Sequence, residues 1–298
     1  MNANPRRRGT PPRIASSARK SAWTASGRSS GDDNFLAKYF KEMSALSVMT
    51  PEEEQEAAIR IHNLRVSQWD AVLSYPPYTV GICELISRSF DEEDVPHEAL
   101  AELRIRSRAY RDRETRAHRE AFEAARGALS RLMARVDVDG VVTDAVVHDL
   151  AILEVGSREG ISLAVHPPRR GSRPFRAFAG EVRARSAELR HVKNRFVKAN
   201  LRLVVSIARR FNHGKLPLQD LIQEGNIGLM KAVDRFDHTR GFRFSTYGSW
   251  WIRHAISRAI ADKGRAVRLP VHMLDAYQKV AKARREFERT HGLSLIHI

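Results

Sequence analysis

Residues 235–253 read RFDHTRGFRFSTYGSWWIR and hold six aromatic side chains in nineteen positions, in a chain that is only 7% aromatic. Four arginines stand among the rings, namely Arg235, Arg240, Arg243 and Arg253. Aromatic faces combined with cations suit single-stranded nucleic acid, because each base stacks on a ring for about 1–3 kcal/mol while the cations follow the phosphates. Phe244 is expected in the core. Of the adjacent Trp250 and Trp251 at least one must be exposed, because neighbours on a helix cannot both point inward.

Helices are predicted on both sides of this stretch. A helix over about 249–263 has an apolar face, which consists of Ile252, Ala255, Ile256, Ala259 and Ile260. Its other face presents His254, Ser257 and Arg258, which is a plausible surface for reading the major groove. Further helices are expected over about 185–210 and 218–233, and a last one starts near Val271. No alternation typical of strands is found, so the predicted fold class is all-α.

The helix near Leu218 has a different chemistry. Gly225 and Gly228 interrupt its pattern, and since each glycine costs about 1 kcal/mol relative to alanine, close packing is the expected compensation. Its exposed side is predicted to carry Asp220, Gln223 and Glu224 beside Leu221 and Met230. An acidic and apolar face in a basic chain indicates a site for docking a protein rather than DNA.

The first two thirds of the chain carry weaker signals. Residues 1–31 are rich in arginine, serine, glycine and proline and contain no acid, which predicts a disordered basic tail. Helical spacing begins near Phe35, and Thr50-Pro51-Glu52-Glu53 predicts a capping box that starts a second helix, continuing through Leu64. Residues 65–190 are expected to form a helical insert, in which 98–135 is one long charged helix or a helical hairpin.

Composition excludes several classes of protein. The 298 residues carry a formal net charge of +16, which favours a polyanionic partner: nucleic acid, an acidic protein or a membrane surface. The lone Cys83 excludes an internal disulfide and a metal site built from cysteines. No apolar run approaches the ~20 residues that span a bilayer, and no secretory signal is found, so an intracellular protein without a membrane partner is expected.

An enzyme is not predicted. The sequence has no phosphate-binding Gly-Lys-Ser or Gly-Lys-Thr loop, no His-Glu-x-x-His helix and no nucleophile elbow. A nuclease is the alternative of this class, but the twelve histidines are scattered and no carboxylate cluster accompanies them. No cofactor and no metal ion are expected.

Three stretches closely resemble the second conserved region of bacterial sigma factors of the sigma-70 family. They are Lys198–Val204, Asp220–Met230 and Phe244–Arg253. The resemblance is nearly continuous from about Val192 to Lys282, and a weaker one over Phe35–Ile61 is similar to the short helical segment that precedes the family's insert. It implies an all-α, multi-helix region 1.2/2 domain with a helical insert, followed by the start of a region 3 helix.

The resemblance also implies a division of the chain into five parts. These are a tail (1–31), a region 1.2-like segment (32–64), a non-conserved insert (65–190), region 2 (191–264) and a truncated region 3 (265–298). It further implies a factor that binds core RNA polymerase in the cytoplasm, recognises the promoter −10 element and opens it. An anti-sigma factor is a possible further partner.

Roles for single residues are likewise implied by the resemblance. A coiled coil of the largest polymerase subunit would be gripped by Asp220, Leu221, Gln223, Glu224, Asn226 and Met230. In the −10 element, Tyr247 would stack on a flipped-out adenine near Phe236 and Arg240, and a second flipped base would be held by Asn200, Leu203, Ser245 and Thr246. Trp250 and Trp251 would wedge at the upstream fork of the bubble, with Phe242 and Arg243 also at the DNA. The last paired base would meet His254, Ser257 and Arg258, and the extended −10 duplex would face His272 and Asp275.

Departures from the family pattern modify these expectations. His254 and Ser257 stand where Gln and Thr are usual, and Asp275 and Phe242 stand where Glu and Tyr are usual, which predicts an altered base preference upstream. A basic tail in place of an acidic N-terminal region favours a secondary or alternative factor. The helix-turn-helix that reads the −35 element is not found, so a fragment is expected. The alternative function is a truncated sigma-like protein that binds polymerase or an anti-sigma partner without initiating alone.

Overall fold

The computed structural model describes residues 30–45, 47–157, 159–169, 171–265 and 267–292. These contain eleven α-helices and no strand, which confirms the all-α prediction for this part of the chain. The helices are α1 (Ser30–Ser44), α2 (Pro51–Val72), α3 (Thr79–Ser89), α4 (His97–Asp112), α5 (Arg116–Val136), α6 (Val141–Val155), α7 (Arg173–Ala199), α8 (Leu201–Arg210), α9 (Leu218–Arg235), α10 (Phe244–Lys263) and α11 (Val271–His291).

Two units can be separated, Met1–Lys41 and Glu42–Ile298. Most of the predicted basic tail, residues 1–29, lies outside the described residues. The second unit contains helices α2 to α11 and all the residues that the resemblance links to DNA or polymerase. None of the helices in the described ranges has the length and apolar character needed to cross a bilayer.

Helix α2 begins with the predicted capping box. The Thr50 hydroxyl accepts a hydrogen bond from the Glu53 backbone N–H (3.3 Å), and the Glu53 carboxylate accepts one from the Thr50 N–H (2.8 Å). The helix then runs on to Val72, past the division that we predict at residue 64. It packs against α5 and α7 and so contacts both the insert and the C-terminal helices.

The predicted insert, residues 65–190, comprises the end of α2, helices α3 to α6 and α7 as far as residue 190. Of the two forms predicted for residues 98–135, the hairpin is observed, because α4 ends at Asp112 and Thr115 caps a new helix. The insert's core is aromatic and aliphatic and includes Trp69, Tyr78, Phe122, Leu129, Phe175 and Phe178.

Two helix boundaries near the C-terminal core differ from the prediction. The helix expected over 185–210 is two helices, since α7 begins at Arg173 and ends at Ala199. At the break, the Asn200 side-chain amide donates to the carbonyl oxygen of Phe196 (3.0 Å) and so competes with the regular helical bonds. Helix α10, expected from about Ser249, already begins at Phe244.

The C-terminal core forms where α8, α9 and α10 cross closely. Its buried side chains include Phe196, Val204, Leu221, Leu229, Phe244, Ile252 and Ile256. The two glycines of α9, Gly225 and Gly228, lie at the crossing. This confirms the close packing that we expected to compensate for their low helix propensity. A Cβ atom on Gly228 would lie 2.7 Å from the Trp251 carbonyl oxygen and 3.1 Å from the Ile252 Cα.

We expect Gly228→Ala to destabilise the fold by about 1–3 kcal/mol, because the added methyl group meets backbone of α10 that cannot move aside cheaply. Gly180→Ala is the matched control, since this helical glycine of α7 has nothing within 4 Å of an added Cβ. It should stabilise by roughly 0.5–1 kcal/mol through helix propensity. Urea unfolding measures both, and equal effects of the two substitutions would contradict the close crossing.

Candidate nucleic-acid and protein interface

An exposed stripe of side chains follows one side of α10. Tyr247, Trp250, His254 and Ser257 succeed one another about one turn apart. Trp250 is 55% exposed, whereas Tyr247 and Trp251 are half-buried. The prediction that at least one of the two tryptophans is exposed is therefore confirmed.

The rings of this stripe contact one another. The Trp250 indole lies parallel to the His254 imidazole, with centroids 5.3 Å apart, and nearly perpendicular to Trp251 at 5.2 Å. Trp251 in turn meets Tyr247 edge-on at 6.2 Å. His254 is therefore part of an aromatic stack as well as a polar group on the exposed face.

The three phenylalanines of this segment have different environments. Phe244 is fully buried, as predicted, and its ring meets Phe196 at 4.8 Å and Phe236 at 5.2 Å. Phe236 is half-buried and its centroid lies 6.0 Å from that of Tyr247, so it supports this ring from the core side. Phe242 is 69% exposed and free to meet a partner.

Glu54 of α2 fixes the start of α10. Its carboxylate is buried and accepts hydrogen bonds from the Arg243 guanidinium (Nε at 3.3 Å, Nη2 at 3.1 Å) and from the Phe244 backbone N–H. Arg243, the N-cap residue, offers no side-chain cap of its own. Glu54 thus supplies the cap from a distant helix, and Arg243, which we expected at the DNA, is engaged in an ion pair within the chain.

Arg65 of the same helix holds the other end of the segment. Its Nη2 donates to the carbonyl oxygen of Asp234 (2.9 Å), near the end of α9. Burial lowers the pKa of Arg65, whereas the nearby carboxylates oppose this shift. Glu54 and Arg65 are eleven residues apart, about three helical turns, so they lie on the same face of α2. This face therefore anchors residues 235–243 at both ends.

The remaining residues predicted at the DNA are mostly accessible. Asn200 and Leu203 are half-buried beside the α7–α8 break, and Arg240 is exposed and pairs with Asp237 (3.3 Å). The exposed positions include Ser245, Thr246, Ser257, Arg258 and His272. Asp275 lies in α11, and its side chain is outside the described residues.

A groove that the sequence does not predict lies between the start of α2 and the end of α7. It has a volume of about 660 Å³, and its lining includes Arg60, His191, Arg195 and Lys198 together with Glu53 and Glu56. Lys198 and Ala199 at its end directly precede Asn200.

The residues predicted for a docking face of α9 are exposed or half-buried, with one exception. Asp220 and Gln223 are exposed, and Asn226 is half-buried. Leu221, predicted on this face, is fully buried instead, because it lies on the side of α9 that the core covers. The apolar part of the face comes from Met230 (47% exposed) and from Ile227 (45% exposed), which the sequence analysis missed.

Glu224 on this face is already paired within the chain. Its carboxylate lies 2.5 Å from the Lys263 ammonium at the end of α10. The hydrogen bond and the charge of Glu224 raise the pKa of Lys263. Glu224 is therefore held in place, half-buried, next to the exposed apolar side chains.

Comparison with known proteins finds similarity over the segment that carries this surface. Residues 196–266 match the family model described as Sigma-70 region 2. A stretch of 112 residues is 52% identical to the RNA polymerase principal sigma factor HrdD of Streptomyces coelicolor and covers 38% of this chain and 34% of that protein. A stretch of 100 residues is 59% identical to the RNA polymerase sigma factor RpoD of Helicobacter pylori and covers 34% of this chain and 15% of the relative.

The similarity extends to SigA of Lactococcus lactis, with 59% identity over 93 residues, which are 31% of this chain and 24% of that sigma factor. The matched segment thus spans about a third or less of each of these relatives. Several relatives are named principal sigma factors, which corrects the expectation of a secondary or alternative type. That expectation came from the basic N-terminal residues, which lie outside the matched 196–266.

We expect Glu54→Ala to loosen the start of α10 and to cost about 1–3 kcal/mol, because the buried Phe244 N–H loses its acceptor. Hydrogen exchange of the amides at 244–247 should accelerate. Glu56→Ala, an exposed acid on the same helix, is the control and should stay within about 0.5 kcal/mol of the wild type. If the two variants unfold at the same urea concentration, Glu54 does not cap α10.

Proposed function

We propose that this chain is a sigma factor that binds core RNA polymerase, recognises and melts the promoter −10 element and so directs transcription initiation. The observation that carries the proposal is the exposed aromatic stripe of α10, which lies within the segment that matches sigma-70 region 2. Such a factor is not an enzyme. It opens the duplex with binding energy, since filled base pockets offset the few kcal/mol that unstacking costs at each step.

In this proposal the non-template strand follows the stripe. Tyr247 stacks on the flipped-out adenine, with Phe236 behind its ring and Arg240 at the rim. The second flipped base is held by Asn200, Leu203, Ser245 and Thr246. Trp250, the more exposed of the two indoles, would meet the upstream fork, and Trp251 would support it from below.

The duplex upstream of the fork would meet the later turns of α10. His254, Ser257 and Arg258 are exposed there, and His272 follows on α11, with Asp275 as the second residue assigned to the extended −10 duplex. A neutral imidazole offers one donor and one acceptor, and serine lacks the threonine methyl that could pack on thymine. The stacking of His254 on Trp250 restricts its reach further, so we propose an altered preference at this base pair.

The face of α9 would bind the coiled coil of the largest polymerase subunit. Its acidic side chains and the exposed Ile227 and Met230 fit a basic, partly apolar helix. The same face could receive an anti-sigma factor, and a truncated protein that binds without initiating is the alternative function. Because bacterial polymerase works in the cytoplasm, the chain would act there. In vitro transcription from an extended −10 promoter separates initiation from mere binding.

Tyr247→Ala should weaken binding of the non-template single strand by about 1–3 kcal/mol, because it removes a stacking ring. Affinity for duplex DNA should change much less. Tyr247→Phe keeps the ring and should bind like the wild type. Equal losses for single-stranded and double-stranded DNA would mean that Tyr247 acts in folding and not in stacking.

Glu224→Lys should weaken binding to core polymerase by on the order of a few kcal/mol, if this charge is a desolvated contact of the interface. The substitution also breaks the ion pair with Lys263. Lys263→Gln breaks the same pair while it keeps the Glu224 carboxylate, so it should retain core binding. A pull-down in which both variants bind equally would exclude a role for the Glu224 charge.

A further inference from the structure

A loop of the insert contacts the segment that carries the aromatic stripe. Arg235, at the end of α9, donates two hydrogen bonds to Asp139: Nε lies 3.2 Å from one carboxylate oxygen, and Nη2 lies 2.7 Å from the other. Both side chains are about half-exposed. This is the paired, planar geometry that an arginine forms with a carboxylate, and it fixes orientation as well as distance.

The loop that presents Asp139 is itself built rigidly. The Asp137 carboxylate is buried and accepts hydrogen bonds from the backbone N–H groups of Val142 (3.4 Å) and Thr143 (3.2 Å) at the start of α6. Gly140 closes the turn with a φ of 75°, a conformation that favours glycine. Asp139 therefore occupies a defined position at the edge of the insert.

Arg235 connects Asp139 to the tryptophans. Its guanidinium carbon lies 5.3 Å from the centroid of the Trp251 ring, within the range of a cation–π contact. Trp251 meets the exposed Trp250 at 5.2 Å. A continuous series of contacts thus joins the insert loop, through Asp139, Arg235 and Trp251, to the ring that we assign to the upstream fork.

We propose that Asp139 is a positioning residue, which holds Arg235 against Trp251 and thereby pre-organises the two tryptophans for the upstream fork of the opened promoter. The proposal rests on the function proposed above and gives the insert a part in it. An exposed ion pair adds little to stability, so the benefit of the paired geometry is orientation. The hydrogen bond and the charge of Arg235 also lower the pKa of the Asp139 carboxyl, which keeps the pair ionised at neutral pH.

The alternative hypothesis is that Asp139 neutralises the charge of Arg235 and keeps it from DNA. In that case Arg235 would bind DNA phosphate once it was released, and loss of the carboxylate would strengthen binding to any duplex. The two readings predict opposite signs for the same substitution. Asp144→Asn is the control with the same change in charge. Asp144 is an exposed acid of the same insert, in the first turn of α6.

The test compares Asp139→Asn with Asp144→Asn in the full 298-residue chain bound to bacterial core polymerase. The DNA probes are a −10 fork junction and a plain duplex of the same sequence, at one salt concentration. We expect Asp139→Asn to lower the affinity for the fork about two- to fivefold, the size of an exposed cation–π contact, and to leave the plain duplex unchanged. Asp144→Asn should change neither.

A second readout does not depend on DNA. Fluorine NMR of the chain labelled with fluorotryptophan resolves its four tryptophans, which are assigned by Trp→Phe variants. The Trp251 signal should shift in Asp139→Asn and not in Asp144→Asn. An unmoved Trp251 signal, tighter binding of both DNA probes, or fork affinity equal in the two variants would each overturn the proposal.

Failure of the proposed function has a different signature. If the wild-type chain with core polymerase binds the fork no better than the plain duplex, the sigma function proposed for this chain fails. The Trp251 signal still decides in that case whether Asp139 positions the ring.

Discussion

The carboxylate of Glu54 at the start of α10 is the contact on which the candidate DNA surface depends. A helix leaves its first backbone N–H groups without partners, and α10 has no local side chain to satisfy them. Glu54 accepts from the Phe244 N–H and from Arg243, so the helix begins five residues earlier than its own sequence indicates. As a consequence, Tyr247 lies on the helix and in line with Trp250 and His254.

The crossing of α9 and α10 sets a second constraint. Gly228 allows the two backbones to approach, and the shared core then leaves the outer sides of both helices free. The aromatic stripe is on α10 and the acidic, apolar face is on α9. In the function proposed above, the chain would therefore bind DNA and polymerase on separate surfaces of one small core, and neither partner would displace the other.

Features encoded locally in the sequence were predictable. The capping box at Thr50 and the exposure of one of two adjacent tryptophans each follow from a few neighbouring residues, and both are confirmed. The helix break at Asn200 was not predicted, because the helical spacing of apolar residues continues through it. The break involves the Asn200 side-chain amide, which donates to the Phe196 carbonyl oxygen in competition with the helical hydrogen bonds. Leu221 was assigned to the wrong side of α9, since apolar residues occupy both its buried and its exposed side.

The ion-pair partners of the arginines could not be predicted from the sequence, for a different reason. Arg243 pairs with a residue 189 positions away, and Arg235 with one 96 positions away. Sequence spacing carries no information on such pairs, although it identifies the arginines themselves. The candidate site was thus predictable as a set of residues, whereas which of its cations are free for DNA depends on the tertiary structure.

Fluorescence of 2-aminopurine can show whether the stripe of α10 opens DNA. The base analogue replaces the adenine of the −10 element that we assign to Tyr247, and its fluorescence rises when the base leaves the stack. We expect core polymerase together with this chain to raise the signal on a −10 promoter, and core polymerase alone to leave it low. Binding of the promoter by the complex without any rise in fluorescence would show that the stripe does not open the −10 element.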